Sequence, residues 1–429
     1  MPRIPEDKID EIRTSVNIVH YIQQFVNLKK AGQNFKGLCP FHTEKTPSFV
    51  VSPDKQIFRC FGCGKGGNIY TFIKEYEKLS FSEALVKAAD FAGISLPKYE
   101  ENPEEAGYFQ QLYQINETTC SFFEHNLWLG KYKKYLQYFV DRSLSEETIK
   151  KFRLGFAPDS FDSLLNELNK ANINLEEAEK LGLISKSEKS RGYYDKFRYR
   201  VIFPFHNISG KIVGFGGRQL LKEHQPKYLN SPESAIYEKG KLLYGLHQAI
   251  QHIREENFVI LVEGYFDLLR LYESGFKNVV ASSGTAFTEN QARLLRRYCK
   301  QVHIAYDGDP AGIKAATRTA QIVEKEGLSA SIVALPDGED PDTFILKQGP
   351  KSFEALLKKD TSPLEFQIND FYKQNPNPDF EQKEQFIEEI INQLAELPNH
   401  VKTGLYLHQL SDVLQVNESF LIDQLNRYK

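Results

Sequence analysis

Only five cysteines occur among 429 residues, too few to staple so long a chain as a disulfide scaffold. Three of them, Cys39, Cys60 and Cys63, nevertheless crowd together near the N-terminus, which favours a metal site over disulfides. No apolar run approaches the ~20 residues a membrane helix needs. The first residues, MPRIPEDKIDEIR, are charged and unlike a secretion signal. A cytoplasmic protein with no membrane partner is expected. The phosphate-binding pattern G-x-x-x-x-G-K-[S/T] is missing, which excludes a P-loop motor. There is no internal repeat and no low-complexity segment. A large net charge is missing too, the chain standing at −3, so bulk charge does not mark a polyanion partner. Its distribution does: residues 191–241 hold ten Lys/Arg against four Asp/Glu, an excess suited to phosphates.

What is present falls into blocks. Length alone implies about two to four domains. Residues 1–100 read as one small module: a helical start, the Cys/His cluster, then helical segments at 68–77 and 82–92. The stretch PKYEENPEEAGY (97–108) is acidic and lacks apolar period, and places a linker at 101–107. From 108 to 250 helices precede two β-rich runs joined by the turn ISGK, a hairpin spanning 198–220. From 251 to 350 short apolar runs (FVILV, NVVAS, QVHIAY, ASIVAL) alternate with amphipathic helices, one of them capped by Thr288; such alternation predicts a parallel sheet with crossover helices. Residues 351–429 read as helical and polar. The fold class is multidomain α+β: a zinc-ribbon module, a mixed α/β basic subdomain, a parallel α/β sheet and a C-terminal helical subdomain.

Two motif sets carry chemistry. CPFH (39–42) and CFGC (60–63) offer two chelating pairs, with a hairpin's length of chain between them. Cys39, His42, Cys60 and Cys63 fit one tetrahedral Zn²⁺ with no position left open, hence a structural ion. Aromatics Phe35, Phe49, Phe58 and Phe61 interleave with Lys36, Lys45, Lys55 and Arg59, a recipe for single strands, although at least half of the rings must serve the module's own core. The second set is acidic. VEGYFD puts Glu263 at the end of the first apolar run and Asp267 in the helix after it. YDGD puts Asp307 and Asp309 after the third run, and PDGEDPD puts Asp340 and Asp342 after the fourth. Strand ends of an open parallel sheet share one edge, so six carboxylates should converge there. Like charges so placed need a cation, and all-oxygen ligands suit two or more Mg²⁺ or Mn²⁺ ions.

A Glu at one strand end with YDGD at another resembles the TOPRIM domain of primases and topoisomerases. KYLNSPES, LYGL, LVEGYFD, YDGDPAG and PDGEDPDT together resemble the DnaG-type bacterial replicative primases over essentially the whole chain, and the Cys/His pattern is similar to that family's N-terminal zinc module. The resemblance implies de novo synthesis of short RNA primers from ribonucleoside triphosphates on single-stranded DNA, giving a primer–DNA hybrid, by two-metal nucleotidyl transfer. Asp267, Asp307 and Asp309 would then face the incoming triphosphate. Glu263, Asp340 and Asp342 would face the attacking hydroxyl, with Glu263 as ligand or as base. Arg218, Lys227, Tyr228, Lys239 and Lys241 are expected on template or nucleotide phosphates. Arg142 joins them because it sits where the family has a basic residue. The resemblance also implies a zinc module that reads the template, action at replication forks on the nucleoid, and a replicative helicase as partner. The family's helicase-docking domain is expected to lie outside residues 1–429. Two other readings stay open at this point: a TOPRIM nuclease or topoisomerase, and a non-catalytic zinc/TOPRIM mediator of recombination.

Overall fold

The computed structural model describes residues 6–77, 79, 81–94, 103–187, 192–220, 226–284 and 286–428, and the chain divides into two compact units, Met1–Gly107 and Tyr108–Lys429. In the first unit five short strands follow one another in one antiparallel sheet: β1 (Lys29–Ala31), β2 (Asn34–Gly37), β3 (Phe49–Ser52), β4 (Ile57–Cys60) and β5 (Gly66–Gly67). Helices Ile69–Glu77 and Phe81–Ala92 lay apolar stripes against it. Their Phe72, Ile73 and Leu85 join Ile12, Tyr21, Phe49 and Phe58 in a core of this unit's own. Of the expected linker, residues 101 and 102 lie outside the described residues. Residues 103–107 begin the helix Pro103–Trp128. Proline is pre-set for a first helical position, which explains why an acidic, Pro-containing stretch begins a helix here.

The second unit begins with helices and a four-stranded antiparallel sheet of β6 (Gly155–Ala157), β9 (Arg200–His206), β10 (Ile212–Gln219) and β11 (Tyr228–Asn230), in the order β11-β10-β9-β6; β7 (Ile184–Lys186) and β8 (Tyr193–Asp195) form a separate hairpin. The β9–β10 pair is the hairpin expected around ISGK. Successive residues of a strand point to opposite faces, and both faces are covered: Val201, Phe203 and Phe205 enter one core, Ile202 and Phe215 another. Two-sided burial is why these strands read as apolar runs without alternation.

The parallel sheet follows. Strands β12 (Phe258–Val262), β13 (Val279–Ala281), β14 (Gln301–Ile304) and β15 (Ser329–Ile332) coincide with the four apolar runs and lie in the order β13-β12-β14-β15. The chain steps to one side after β12 and then to the other. The order therefore reverses between β12 and β14, where open sheets leave a crevice at their carboxyl edge. Thr288 caps helix Glu289–Leu295 in a capping box with Gln291, as its place in the sequence suggests. Helices Pro363–Gln374, Phe380–Ala395, His400–Leu414 and Glu418–Tyr428 close the unit around Ile390, Leu410 and Leu421. Among the described residues no helix is long and apolar enough to cross a membrane.

Candidate functional site

The first unit brings its four metal-ligand candidates together. The CPFH turn follows β2 and the CFGC knuckle leaves β4, so pairing through β3 sets one beside the other. One ligand atom each from Cys39, His42, Cys60 and Cys63 lies within 4.8 Å of the others, a spacing that fits a single tetrahedral ion. Glu44 and Ser48, which no ligand spacing in the sequence marks, brace the set. Glu44 accepts from the backbone amides of Cys39 (2.7 Å) and Ser48 (3.0 Å) and lies 3.3 Å from Nε2 of His42, while Nδ1 of His42 faces Cys60 Sγ at 3.9 Å. A carboxylate on the outer ring nitrogen leaves the inner one free for a metal. Ser48 Oγ stands 3.2 Å from Cys60 Sγ. For the Cys60 thiol, burial is outweighed by hydrogen bonds from Ser48, Cys63, Cys39 and Gly62, which push it down to about 6. Burial, with the shared hydrogen bonds and charge of Cys60 and Cys63, pushes Cys39 up to about 12. Phe49 and Phe58 are core, whereas Phe61 is 73% exposed with the Arg59 guanidinium 5.8 Å from its ring centre.

In the second unit the acidic stretches lie where the sequence placed them, at the carboxyl ends of β12, β14 and β15. Three of the acids are capping residues. Asp309 accepts from the Gly312 amide (2.7 Å) at the start of helix Pro310–Lys325. Asp340 accepts from the Thr343 amide (2.6 Å) at the start of Pro341–Gln348. Asp267 accepts from the Gly264 amide (3.1 Å) at the start of Tyr265–Glu273. Capping employs one carboxylate oxygen and leaves the other available. Burial and then the charges of Asp340, Asp307 and Asp342 push Asp267 up to about 8. Burial with Asp307 and Asp309 pushes Glu263 up to about 7. Burial with Asp340 and Asp309 pushes Asp307 up to about 6. Glu263 Oε1 is buried with no hydrogen-bond partner. An orphaned carboxylate oxygen among mutually repelling acids is the donor set a hard cation satisfies. Among the described residues the acids do not close to the tight spacing of the zinc set.

The glycine between the two aspartates has a steric reason. Gly308 donates to the Glu339 carbonyl (2.8 Å) and accepts from Gly338 (3.3 Å), and a Cβ at this position would run into the carbonyl oxygen of Pro336. Close backbone approach draws the loop after β15 onto the loop after β14.

One acid is employed differently. Asp342 is 8% exposed, and both of its oxygens are taken: Oδ1 by Arg270 Nε at 2.7 Å, Oδ2 by Arg142 Nη1 at 3.1 Å. Asp342 was expected to ligate an ion; in the structure each of its oxygens faces a guanidinium group. Arg142 in turn lies with its guanidinium carbon 4.3 Å from the ring centre of Phe266, which Arg218 approaches at 4.8 Å. Arg218 pairs across strands with Tyr228 and stands over its ring at 5.7 Å, as does Lys227. Arg142, Arg218, Lys227 and Tyr228 thus meet beside Asp267, with Tyr138 and Phe266 as the stacking surfaces that sequence reading missed. Lys239 lies near Lys196, whose ammonium is held below its usual range by burial and by that neighbouring charge; Lys196 was missed because 43 residues separate the two in sequence. Lys241 points instead to Glu238, in an exposed pair at 2.7 Å. Cys120 and Cys299 are buried core residues.

A metal-binding module followed by an acidic crevice in a parallel sheet, flanked by stacked cations, defines a Toprim-type enzyme that carries a zinc finger. Three family models divide the chain in the same way: CHC2 zinc finger over residues 4–104, DNA primase catalytic core N-terminal domain over 122–250, and Toprim-like over 260–345. The DNA primase of Halalkalibacterium halodurans is 43% identical over 96% of this chain and 69% of its own length. That of Listeria monocytogenes is 37% identical over 100% and 70%. The solved zinc-binding and RNA polymerase domains of the Aquifex aeolicus primase match with a TM-score of 0.64 at 36% identity, covering 96% of this chain and 98% of that one. A DnaG primase catalytic domain bound to single-stranded DNA matches at 33% identity and a TM-score of 0.64, covering 72% of this chain and 99% of that one. The chain belongs to the DnaG-type DNA primases. It is a DNA-directed RNA polymerase in the sense of that family, a nucleotidyltransferase of replication, and the nuclease and recombination readings fall away.

Proposed function

We propose that this primase starts RNA chains on single-stranded DNA with Glu263, Asp267, Asp307, Asp309 and Asp340 holding two divalent cations, Mg²⁺ or Mn²⁺. Cations bound there would supply charge neutralisation at the triphosphate and acidify the attacking 3′-hydroxyl. Asp267, Asp307 and Asp309 face the triphosphate of the incoming ribonucleotide, and Asp340 and Glu263 face the hydroxyl. Glu263 stands at the hydroxyl as a cation ligand or as the base that takes its proton. The O3′–Pα bond forms as the Pα–O bond to the β-phosphate breaks, and pyrophosphate leaves in line. Arg142, Arg218, Lys227, Lys239 and Lys241, joined by Lys196, serve template and nucleotide phosphates, and Tyr228 offers a stacking face. A primase relative bound to single-stranded DNA supports that groove.

In the same reading Cys39, His42, Cys60 and Cys63 hold one structural Zn²⁺, and the exposed Phe61–Arg59 pair meets template bases. The work is divided among residues 1–100 for template recognition, 108–250 for the basic groove, 251–350 for catalysis and 351–429 for the helical close. The protein would act in the cytoplasm at the replication fork, where the primer–DNA hybrid is its product and a replicative helicase its partner.

One observation carries the reading: where the strand order reverses, burial pushes Glu263, Asp267 and Asp307 up, and the charge of Asp307 adds to the shift of the other two. Asp309→Ala tests it. Primer synthesis should fall by ~10³-fold, the several kcal/mol of transition-state stabilisation that one catalytic ion supplies, with zinc content unchanged and the melting temperature lowered only by the about 0.5–2 kcal/mol of a lost helix cap. Dinucleotide synthesis at the parent rate would refute the assignment.

A further inference from the structure

We infer that Asp342 is a positioning residue: with Arg270 it clamps Arg142 against the triphosphate and does not ligate a catalytic ion. The inference rests on the reading above, in which Arg142 serves phosphates beside a cation cage. Three observations carry it. Both carboxylate oxygens of Asp342 are occupied by guanidinium nitrogens, at 2.7 Å and 3.1 Å. Arg270 is 4% exposed, and besides Asp342 it donates through Nη2 to the backbone carbonyl of Arg142. Its guanidinium therefore fixes the main chain of residue 142 while Asp342 fixes the side chain. Finally, the Arg142 guanidinium is stacked on Phe266 and Tyr138, at 4.3 Å and 5.1 Å from their ring centres. A side chain held at its carbonyl, one nitrogen and its flat face keeps a single orientation.

The charge arrangement argues the same way. Two guanidinium groups around one carboxylate leave one positive charge over, and Arg270 is too buried to carry it to solvent. That surplus sits on Arg142, whose side chain is 29% exposed, next to Arg218 on the shared Phe266 ring. Such a pair suits an anion with several oxygens, as a triphosphate has. If Asp342 turned to a cation instead, Arg270 would remain as a buried charge without its partner, a costly state. Asp267, Asp309 and Asp340 face no such conflict, since each caps a helix through backbone amides.

The test uses the full chain, with Mn²⁺ as the probe. Bound Mn²⁺ is counted by electron paramagnetic resonance, and KM for the incoming ribonucleotide is measured separately from kcat. Asp342→Asn should leave the Mn²⁺ count and affinity as in the parent while raising KM about tenfold, the loss of one well-placed charge-assisted contact. Arg142→Ala should raise KM similarly, and the two changes together should do no more than either alone. The paired variant D342N/R270Q strands no buried charge. It should show the same intact Mn²⁺ binding and raised KM, which keeps the test decisive even where D342N folds poorly. Loss of a bound Mn²⁺ ion from D342N or from the paired variant would overturn the inference while leaving the cation cage standing, as would multiplicative effects of D342N and R142A. A parent that binds no Mn²⁺, or one whose binding survives Asp309→Ala, would instead bring down the cage and this inference with it.

Discussion

A single glycine decides whether the acidic loops meet. Gly308 sits between two aspartates, and its hydrogen bonds with Glu339 and Gly338 draw the loop after β15 to the one after β14. With no side chain it lets Pro336 approach; a methyl group there meets a backbone carbonyl, which cannot swing aside. Gly308→Ala should therefore cost about 1–3 kcal/mol by overpacking and separate Asp307 from Asp340. Thermal denaturation would register a modest drop and primer synthesis a much larger one. Equal and small losses in both would mean that the loop contact does not set catalytic geometry. Glu44 is the comparable residue in the zinc unit. It fixes His42 through Nε2 and the CPFH turn through the Cys39 amide. Removing such an outer partner weakens metal affinity by about 10–100-fold, so Glu44→Ala should release zinc to a chromogenic chelator that much more readily, with Glu44→Gln between the two.

At the scale of elements, the question is what strand β12 and its neighbours do to the acids at their ends. Burial and neighbouring acids push Glu263, Asp267 and Asp307 up to about 7, 8 and 6, against roughly 4 for ordinary carboxyls. A carboxyl with a raised folded pKa keeps its proton longer in the native state than in the unfolded one. Between about pH 4 and pH 8 the native state then binds more protons, so these groups lower stability as pH rises through that window. A divalent cation bound among them would reverse the effect once they ionise. In a chelator-treated sample, Asp267→Asn should raise the melting temperature at about pH 8 and change it little at about pH 4. Added Mn²⁺ should stabilise the parent most at the higher pH. A variant that shifts the melting temperature equally at both values would contradict the coupling. The strands that create this site were legible because each is a short buried apolar run ended by turn residues, and Glu263, Asp307 and Asp340 follow directly from those ends. The partner of Asp342 was not legible. Arg270 lies 72 residues earlier, on a helix whose register against Pro341–Gln348 depends on packing that no local pattern encodes. The Phe266 and Tyr138 rings do not stand out in the sequence for a similar reason: aromatic periodicity does not distinguish a buried face from one that carries guanidinium groups.

At the scale of the whole molecule the two units have separate cores and separate candidate metal sites. The zinc unit closes around Phe49, Phe58 and Phe72, whereas Tyr108–Lys429 holds four cores of its own. Binding of a structural zinc is worth about 10–16 kcal/mol in zinc-finger peptides, as much as the whole stability of a typical domain at about 5–15 kcal/mol. Withdrawing the ion should therefore unfold the first unit and spare the second. Calorimetry of the full chain tests this with two metals. A strong zinc chelator should abolish one transition, and Mn²⁺ should raise the midpoint of the other in its presence. Far-ultraviolet dichroism should keep most of its helical signal, because the long helices of the second unit remain. Loss of both transitions on zinc removal would make the finger part of the catalytic unit's own stability. Loss of neither would mean that the core around Phe49 and Phe58 outweighs the metal, and that the Cys60 thiol, already pushed down to about 6 by its hydrogen bonds, sits in a knuckle that holds its shape before any ion arrives.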